Sequence, residues 1–277
     1  MNEKNNKTPF AKKSFGQNFL TDQNYIKKII SALNPQKNET IIEIGAGRGA
    51  LTEKLLESGA NVIAIELERE MISVLKKKFG GFENFKLIEQ DALKTDFQEI
   101  VNSQSQIANS KSAKLVANLP YYISTAILQK LIDQRANFSE MILMFQREVV
   151  ERITAQVGNK ERGFLTVLVE AYLEAEKLFD VSPNAFRPAP KVWSAIVRLT
   201  PKAGVGFDDE KLFRELISAG FAQKRKTILN NLKNAPPVLR EQIGNAEKCL
   251  EKARIASNRR AETLSFEEWK QLYRILT

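Results

Sequence analysis

The stretch Thr40–Leu56, TIIEIGAGRGALTEKLL, constrains this chain more than any other. Ile41, Ile42 and Ile44 form a short apolar run of the kind a buried strand needs. Gly45, Gly47 and Gly49 interrupt it, and Leu51, Leu55 and Leu56 then recur on one face of a helix. Glycines at alternate positions let the backbone turn sharply and bring main-chain N–H groups close to a ligand with no Cβ in the way. The helix that follows points the positive end of its dipole at the same spot, which suits a carboxylate or a phosphate. Strand, glycine loop and helix in this order predict an α/β domain with a nucleotide-type cofactor at the loop.

Two cofactors fit the loop. With Ala50 in the last position it satisfies the dinucleotide pattern G-x-G-x-x-G/A. With Glu43 counted, E-x-G-x-G-x-G resembles the first motif of S-adenosylmethionine methyltransferases. A second strand, Ala60–Ile65, ends in Glu66, 21 positions past Gly45, near the spacing of a carboxylate that takes both hydroxyls of a ribose. Both cofactors carry a ribose, so Glu66 indicates a nucleoside without choosing between them. An amphipathic helix over residues 68–79 and a third strand, Phe85–Glu89, lead to Gln90-Asp91-Ala92, where the Asp91 carboxylate can accept from an adenine amine.

The choice falls at Lys114–Thr125, KLVANLPYYIST. A fourth strand, Leu115–Ala117, runs into Asn118-Leu119-Pro120-Tyr121, and Ser124 begins a helix. Alternating strands and helices predict a parallel sheet with its ligands at the carboxyl ends of the strands. The tetrapeptide resembles the [N/D/S]-P-P-[Y/F] motif of enzymes that methylate exocyclic amines of nucleobases, with Leu119 in the first proline position. The adenine N6 lone pair is delocalised into the ring and attacks poorly as it stands. Acceptors at the Asn118 side chain and the Leu119 carbonyl would favour a pyramidal nitrogen, Pro120 stiffens the turn, and Tyr121 offers a face for stacking. The nitrogen becomes a far stronger acid once methylated, so no strong base is required.

Composition agrees with such chemistry. There is no histidine, which excludes classical triads and the commonest zinc ligand, and no metal is expected. The net charge of +9 favours a polyanionic partner, nucleic acid first. The single cysteine, Cys249, excludes an internal disulfide and fits a reducing cytoplasm. No run approaches the roughly 18 apolar residues of a membrane span, and the polar, basic first residues carry no apolar signal core.

With these motifs in view, the chain resembles the ribosomal RNA adenine N6-dimethyltransferase family, in particular its bacterial small-subunit branch. The likeness runs from Phe15-Gly-Gln-Asn-Phe-Leu20 through Gln146-Arg-Glu-Val-Val150, Phe186-Arg-Pro-Ala-Pro-Lys-Val192 and Gln223-Lys-Arg-Lys-Thr227 to Arg260-Ala-Glu-Thr-Leu-Ser265. It implies a Rossmann-like methyltransferase fold with a smaller all-helical C-terminal domain, and S-adenosylmethionine as methyl donor. It implies cofactor contacts at Asn18, Leu20, Gly45, Glu66, Asp91 and Asn118, to which Gly47, Leu67 and Ala92 belong as neighbours in the same loops. It further implies that Phe186 stacks on the target base opposite Tyr121. The expected substrate is a pair of adjacent adenines near the 3′ end of 16S ribosomal RNA, dimethylated by a monomer. A large-subunit methyltransferase of the antibiotic-resistance type and a mainly non-catalytic assembly factor are the competing readings.

Phosphate contacts are expected from Lys12 and Lys13 in the basic arm 1–13, from Arg147, Arg187 and Lys191, and from Lys224, Arg225 and Lys226. Read from its residues alone, Phe186 in SPNAFRPAPKV either clamps a base or fills core beneath its loop. Thr21 or Asp22 caps a first helix that Pro35 ends, while FGQNFL before it reads as packing or a lid. Residues 102–112 read as a polar loop, Met141–Phe145 as a fifth strand and residues 148–155 as a helix; the apolar run 164–174 fits strand or helix. Two further strands are expected over Leu178–Val181 and Val192–Leu199. Thr200–Gly206 is the candidate linker between a catalytic domain, 1–200, and a helical RNA-recognition domain, 207–277. That second domain should hold helices over 208–219, 224–232 and 265–275, with a break at Pro236-Pro237 and a capping box from Ser265 and Glu268.

Overall fold

The computed structural model describes residues 18–104, 112–204 and 206–277. Lys12, Lys13, the rest of the basic arm, Phe15–Gln17 and most of the polar stretch 102–112 therefore lie outside the described residues. Two compact units emerge, one of residues 1–147 and 176–201, the other of 148–175 and 202–277. The expected division at 200–207 thus differs from the observed one: the stretch 148–175 groups with the C-terminal helices.

The first unit opens with β1, Phe19–Leu20, and α1, Gln23–Leu33. Asp22, rather than Thr21, caps α1, its Oδ1 accepting from the N–H groups of Asn24 and Tyr25. Then β2 (Thr40–Ile44), α2 (Ala50–Glu57), β3 (Asn61–Glu66), α3 (Arg69–Phe79) and β4 (Phe85–Glu89) alternate as the periodicities require. The helix α4 (Phe97–Gln104) takes in the start of the stretch read as a polar loop. It is followed by β5 (Ala113–Asn118), α5 (Ser124–Asp133) and β6 (Phe138–Gln146). Next in the chain come α6 (Arg147–Ile153) and α7 (Phe164–Tyr172), which from Glu148 on group with the second unit, and then β7 (Leu173–Val181), β8 (Phe186–Arg187) and β9 (Ser194–Pro201). The apolar run 164–174 is therefore helix up to Tyr172 and strand from Leu173.

Seven strands form one sheet in the order β4-β3-β2-β5-β6-β9-β7, and β1 pairs with β8 in a separate ribbon. From β4 to β6 the neighbours are parallel, whereas β9 runs antiparallel to β6. This is a Rossmann-like sheet. Because β3 and β5 flank β2, strand order reverses between β2 and β5, and their carboxyl ends splay apart into a crevice. Ile41, Ile42, Val62, Ile63, Leu115 and Val116 are buried from both faces, which explains why these strands read as continuous apolar runs rather than alternating ones.

The second unit is helical apart from the start of β7, with α8 (Glu210–Gly220), α9 (Ile228–Lys233), α10 (Pro237–Ile243), α11 (Ala246–Lys252) and α12 (Phe266–Leu276) following α7. The expected break at Pro236-Pro237 separates α9 from α10: Pro236 is the N-cap of α10 and Pro237 its first residue, because proline suits the first turn, where its missing N–H has no partner to lose. Helix α9 starts later than expected: the Thr227 hydroxyl caps it by accepting from Asn230 N–H, so Lys224, Arg225 and Lys226 sit in the preceding turn. Trp269 is fully buried and packs on Gly220, where a Cβ would stand 2.3 Å from its ring. Ser265 and Glu268 form the expected capping box of α12, and Arg259 pairs with the same Glu268 carboxylate.

Candidate cofactor and base site

The crevice between β2 and β5 holds a cavity of about 320 Å³, lined by Asn18, Phe19, Leu20, Glu43, Gly45, Gly47, Arg48, Glu66 and the tetrapeptide Asn118–Tyr121. A second cavity of about 80 Å³ shares Gly45, Glu66 and Pro120 with it and adds Leu67, Asp91, Ala92, Tyr122 and Ile123. Every expected cofactor residue lines one of the two.

The glycine loop is shaped from outside itself. Gly49 has φ +80, and a Cβ there would stand 2.3 Å from the Phe79 ring of α3. Gly47 has φ +55 and lies under the Phe19 ring, 3.1 Å from where its Cβ would be. Glu66, at the end of β3, ties this loop to its own: one oxygen accepts from Gly47 N–H at 2.9 Å, the other from Leu67 and Glu68 N–H at 2.9 and 3.0 Å. A carboxylate has about four lone-pair positions, so three such bonds leave capacity for a ligand hydroxyl. Asp91 is oriented by Leu93 N–H, which donates to its Oδ1 at 2.9 Å.

Glu43 lies beneath the loop. Gly49, the N-cap residue of α2, has no side chain to cap with, and Glu43 accepts from the Thr52 hydroxyl at 2.6 Å in the first turn. Burial raises its pKa from 4.5 to about 7; the Thr52 bonds oppose that shift and the nearby Glu66 adds to it. Sequence reasoning placed Glu43 in the motif but assigned it no role.

At the end of β5, the Asn118 amide nitrogen donates to the Asn18 carbonyl at 3.2 Å, which turns Oδ1 away from that partner. The register Ile44↔Ala117 brings Gly45 beside this residue, and a Cβ on Gly45 would stand 3.8 Å from the Asn118 carbonyl. The Leu119 side chain is buried, and Ile123 N–H and Ser124 Oγ donate to the Pro120 and Tyr121 carbonyls, closing the turn. The Tyr121 hydroxyl lies 2.7 Å from Ser194 Oγ, and burial pushes this phenol up, partly offset by that bond. Ser194 was missed: it lies 73 positions away, and nothing local marks it.

Phe186 departs from the expected placement. It pairs with Leu20 in the β1–β8 ribbon, is 1% exposed, and packs in the core among residues such as Leu20, Val181, Ala185 and Ile196. Its ring lines neither cavity, so filling core beneath the loop is the arrangement found. Arg147, Arg187 and Lys191 are exposed in the first unit, as are Lys224, Arg225 and Lys226 in the second. Among the described residues no group of three side chains could hold a metal ion, and no helix is long and apolar enough to cross a membrane.

A family model described as ribosomal RNA adenine dimethylase matches residues 9–272. The ribosomal RNA small subunit methyltransferase A of Clostridium botulinum is 42% identical over 262 residues, covering 94% of this chain and 92% of the relative. That of Geobacillus thermodenitrificans is 39% identical over 263 residues, covering 94% and 89%. The crystal structure of a dimethyladenosine transferase from Plasmodium falciparum superposes with TM-score 0.77 at 30% identity, covering 92% of this chain and 95% of the other. The 23S rRNA methyltransferase ErmE shares the fold, with TM-score 0.69 at 23% identity over 94% and 99% of the two chains. By model and relatives together, the chain belongs to the ribosomal RNA adenine dimethylase family.

Proposed function

We propose that this protein transfers methyl groups from S-adenosylmethionine to the N6 amines of two adjacent adenines near the 3′ end of 16S ribosomal RNA, during small-subunit assembly in the cytoplasm and as a monomer. The observation that carries this reading is the juxtaposition of an Asn118 carboxamide, anchored by Asn18, with the glycine loop across the β2/β5 crevice. The residues present suit the cofactor. Glu66 has acceptor capacity left for a ribose hydroxyl, Asp91 with Leu67 and Ala92 borders the smaller cavity, where an adenine would sit, and the glycine loop with Asn18 and Leu20 lines the larger one.

S-adenosylmethionine supplies an electrophilic methyl carbon on a positively charged sulfur. In the first transfer Asn118 Oδ1 and the Leu119 carbonyl accept the two N6 hydrogens, and in the second one of them accepts the single hydrogen that remains, which favours a pyramidal nitrogen and aims its lone pair at that carbon. Tyr121, its hydroxyl held by Ser194, keeps its ring still as a stacking surface for the base. The contribution is positional and electrostatic, and the methylated nitrogen loses its proton to water. A chain without histidine forgoes nothing by this route.

Incubation with labelled S-adenosylmethionine and unmodified small subunits, followed by mapping of the labelled nucleotide, tests the reading. Label on adjacent adenines near the 3′ end supports it; label confined to large-subunit RNA, or none, overturns it. In the same assay Asn118→Ala should lower kcat by at least about 100-fold, the scale of a lost transition-state hydrogen bond. Its affinity for cofactor should change only a few-fold; unchanged turnover would sink the mechanism.

A further inference from the structure

The segment from Arg187 to Trp193 joins β8 to β9 and is pinned beside the crevice at both ends. At one end Arg187 pairs with Phe19, a residue that lines the larger cavity. At the other, Ser194 is fully buried against the Tyr121 hydroxyl, and the Trp193 carbonyl accepts Arg147 N–H at 2.9 Å. Strand β9 starts there, opposite the carboxyl end of β6, so Trp193 stands on the ligand-bearing edge of the sheet. Between the pins Arg187, Lys191, Val192 and Trp193 are exposed, Trp193 to 44%. Indoles are usually well buried, and an exposed one next to cations is a recurrent nucleic-acid feature. No acidic residue occurs from Val181 to Val197, while Arg147, Arg187 and Lys191 gather at this edge.

We propose that Trp193 stacks on an unpaired base of the RNA strand flanking the target adenine, with Arg187 and Lys191 against the adjoining phosphates. The proposal deepens the RNA-methyltransferase reading and rests on it. Phe186 is buried in the core, so this indole supplies an exposed aromatic face beyond Tyr121, one residue from the serine that holds Tyr121. Stacking on a π-face is tolerant of sequence, so Trp193 contributes grip and register while the tetrapeptide selects the amine.

The chain has two tryptophans, and Trp269 is fully buried, so Trp193 is the accessible reporter. Titrating the whole protein with a short single-stranded RNA carrying two adjacent adenines should quench its fluorescence, and Trp193→Phe should remove that quenching. Trp193→Ala should raise KM for small-subunit RNA roughly 5- to 150-fold, the span of one base stack, with the loss in KM rather than kcat. Trp193→Phe should restore most of it, which a merely structural role would not require. An alanine variant whose KM stays within twofold of wild type, or a phenylalanine variant as weak as alanine, overturns the proposal. Anisotropy titration of labelled RNA reads the same contact without turnover. Were the wild type to methylate no adenine, the proposed function would fall and this titration alone would judge Trp193. Weaker binding by the alanine variant would sustain the contact, and equal binding would overturn it.

Discussion

Replacing Glu43 by glutamine isolates one titration inside the first unit. The carboxyl group is 2% exposed, accepts from Thr52 Oγ1 at 2.6 Å, and shares its surroundings with Glu66. Burial raises its pKa from 4.5 to about 7. Between those two values the folded chain keeps a proton that the unfolded chain has released. Stability then falls as pH rises through the window, and it levels off once the folded group has ionised as well. A shift of about 2.5 units at about 1.4 kcal/mol each sums to about 3 kcal/mol, present in full below pH 4.5 and lost as pH rises from 4.5 to 7. Glutamine keeps an acceptor for Thr52 and carries no titrating proton. The urea-unfolding free energy of Glu43→Gln minus that of wild type should therefore climb by about 3 kcal/mol from pH 4.5 to 8, most of it before pH 7. Groups that do not interact with Glu43 cancel in that difference, and its coupling to Glu66 is the smaller cause of the shift. Two stability profiles that run parallel across the range would refute the argument, because they would mean that Glu43 ionises in the fold as freely as in water.

Glu66→Ala should weaken S-adenosylmethionine binding at least about 10-fold by calorimetry, since it removes the proposed ribose acceptor together with the tie to Gly47 N–H; an unchanged affinity rejects the ribose assignment. Gly49→Ala should cost about 2–3 kcal/mol in chemical unfolding, because φ is +80 and the new Cβ would stand 2.3 Å from the Phe79 ring. Equal midpoints would show that α3 yields at no cost.

Legibility followed the range of the interaction. The strand–glycine–helix unit, Glu66 at the end of β3 and the capping box of α12 were all readable, since each is written in residues a few positions apart. The run 164–174 was not, because an apolar stretch buried on all sides carries no period to separate helix from strand. The start of α9 moved for a local reason: a threonine that caps outweighs three cations that merely tolerate a first turn. Phe186 was left open between clamp and core, and strand alternation in the β1–β8 ribbon put it in the core. Residues 148–175 look like a continuation of the α/β pattern, yet they group with the C-terminal helices.

The sequence by itself determined the chemistry on offer: a glycine loop, a ribose carboxylate spacing, an Asn-Leu-Pro-Tyr corner and no histidine. These are properties of residue type and short spacing, and they survive without coordinates. Only the tertiary structure decided that Asn118 faces Gly45, that Ser194 holds Tyr121, that Glu43 ionises late and that Trp193 stays exposed. Each depends on which strands lie side by side, and strand order is set by burial of the whole sheet rather than by any one segment.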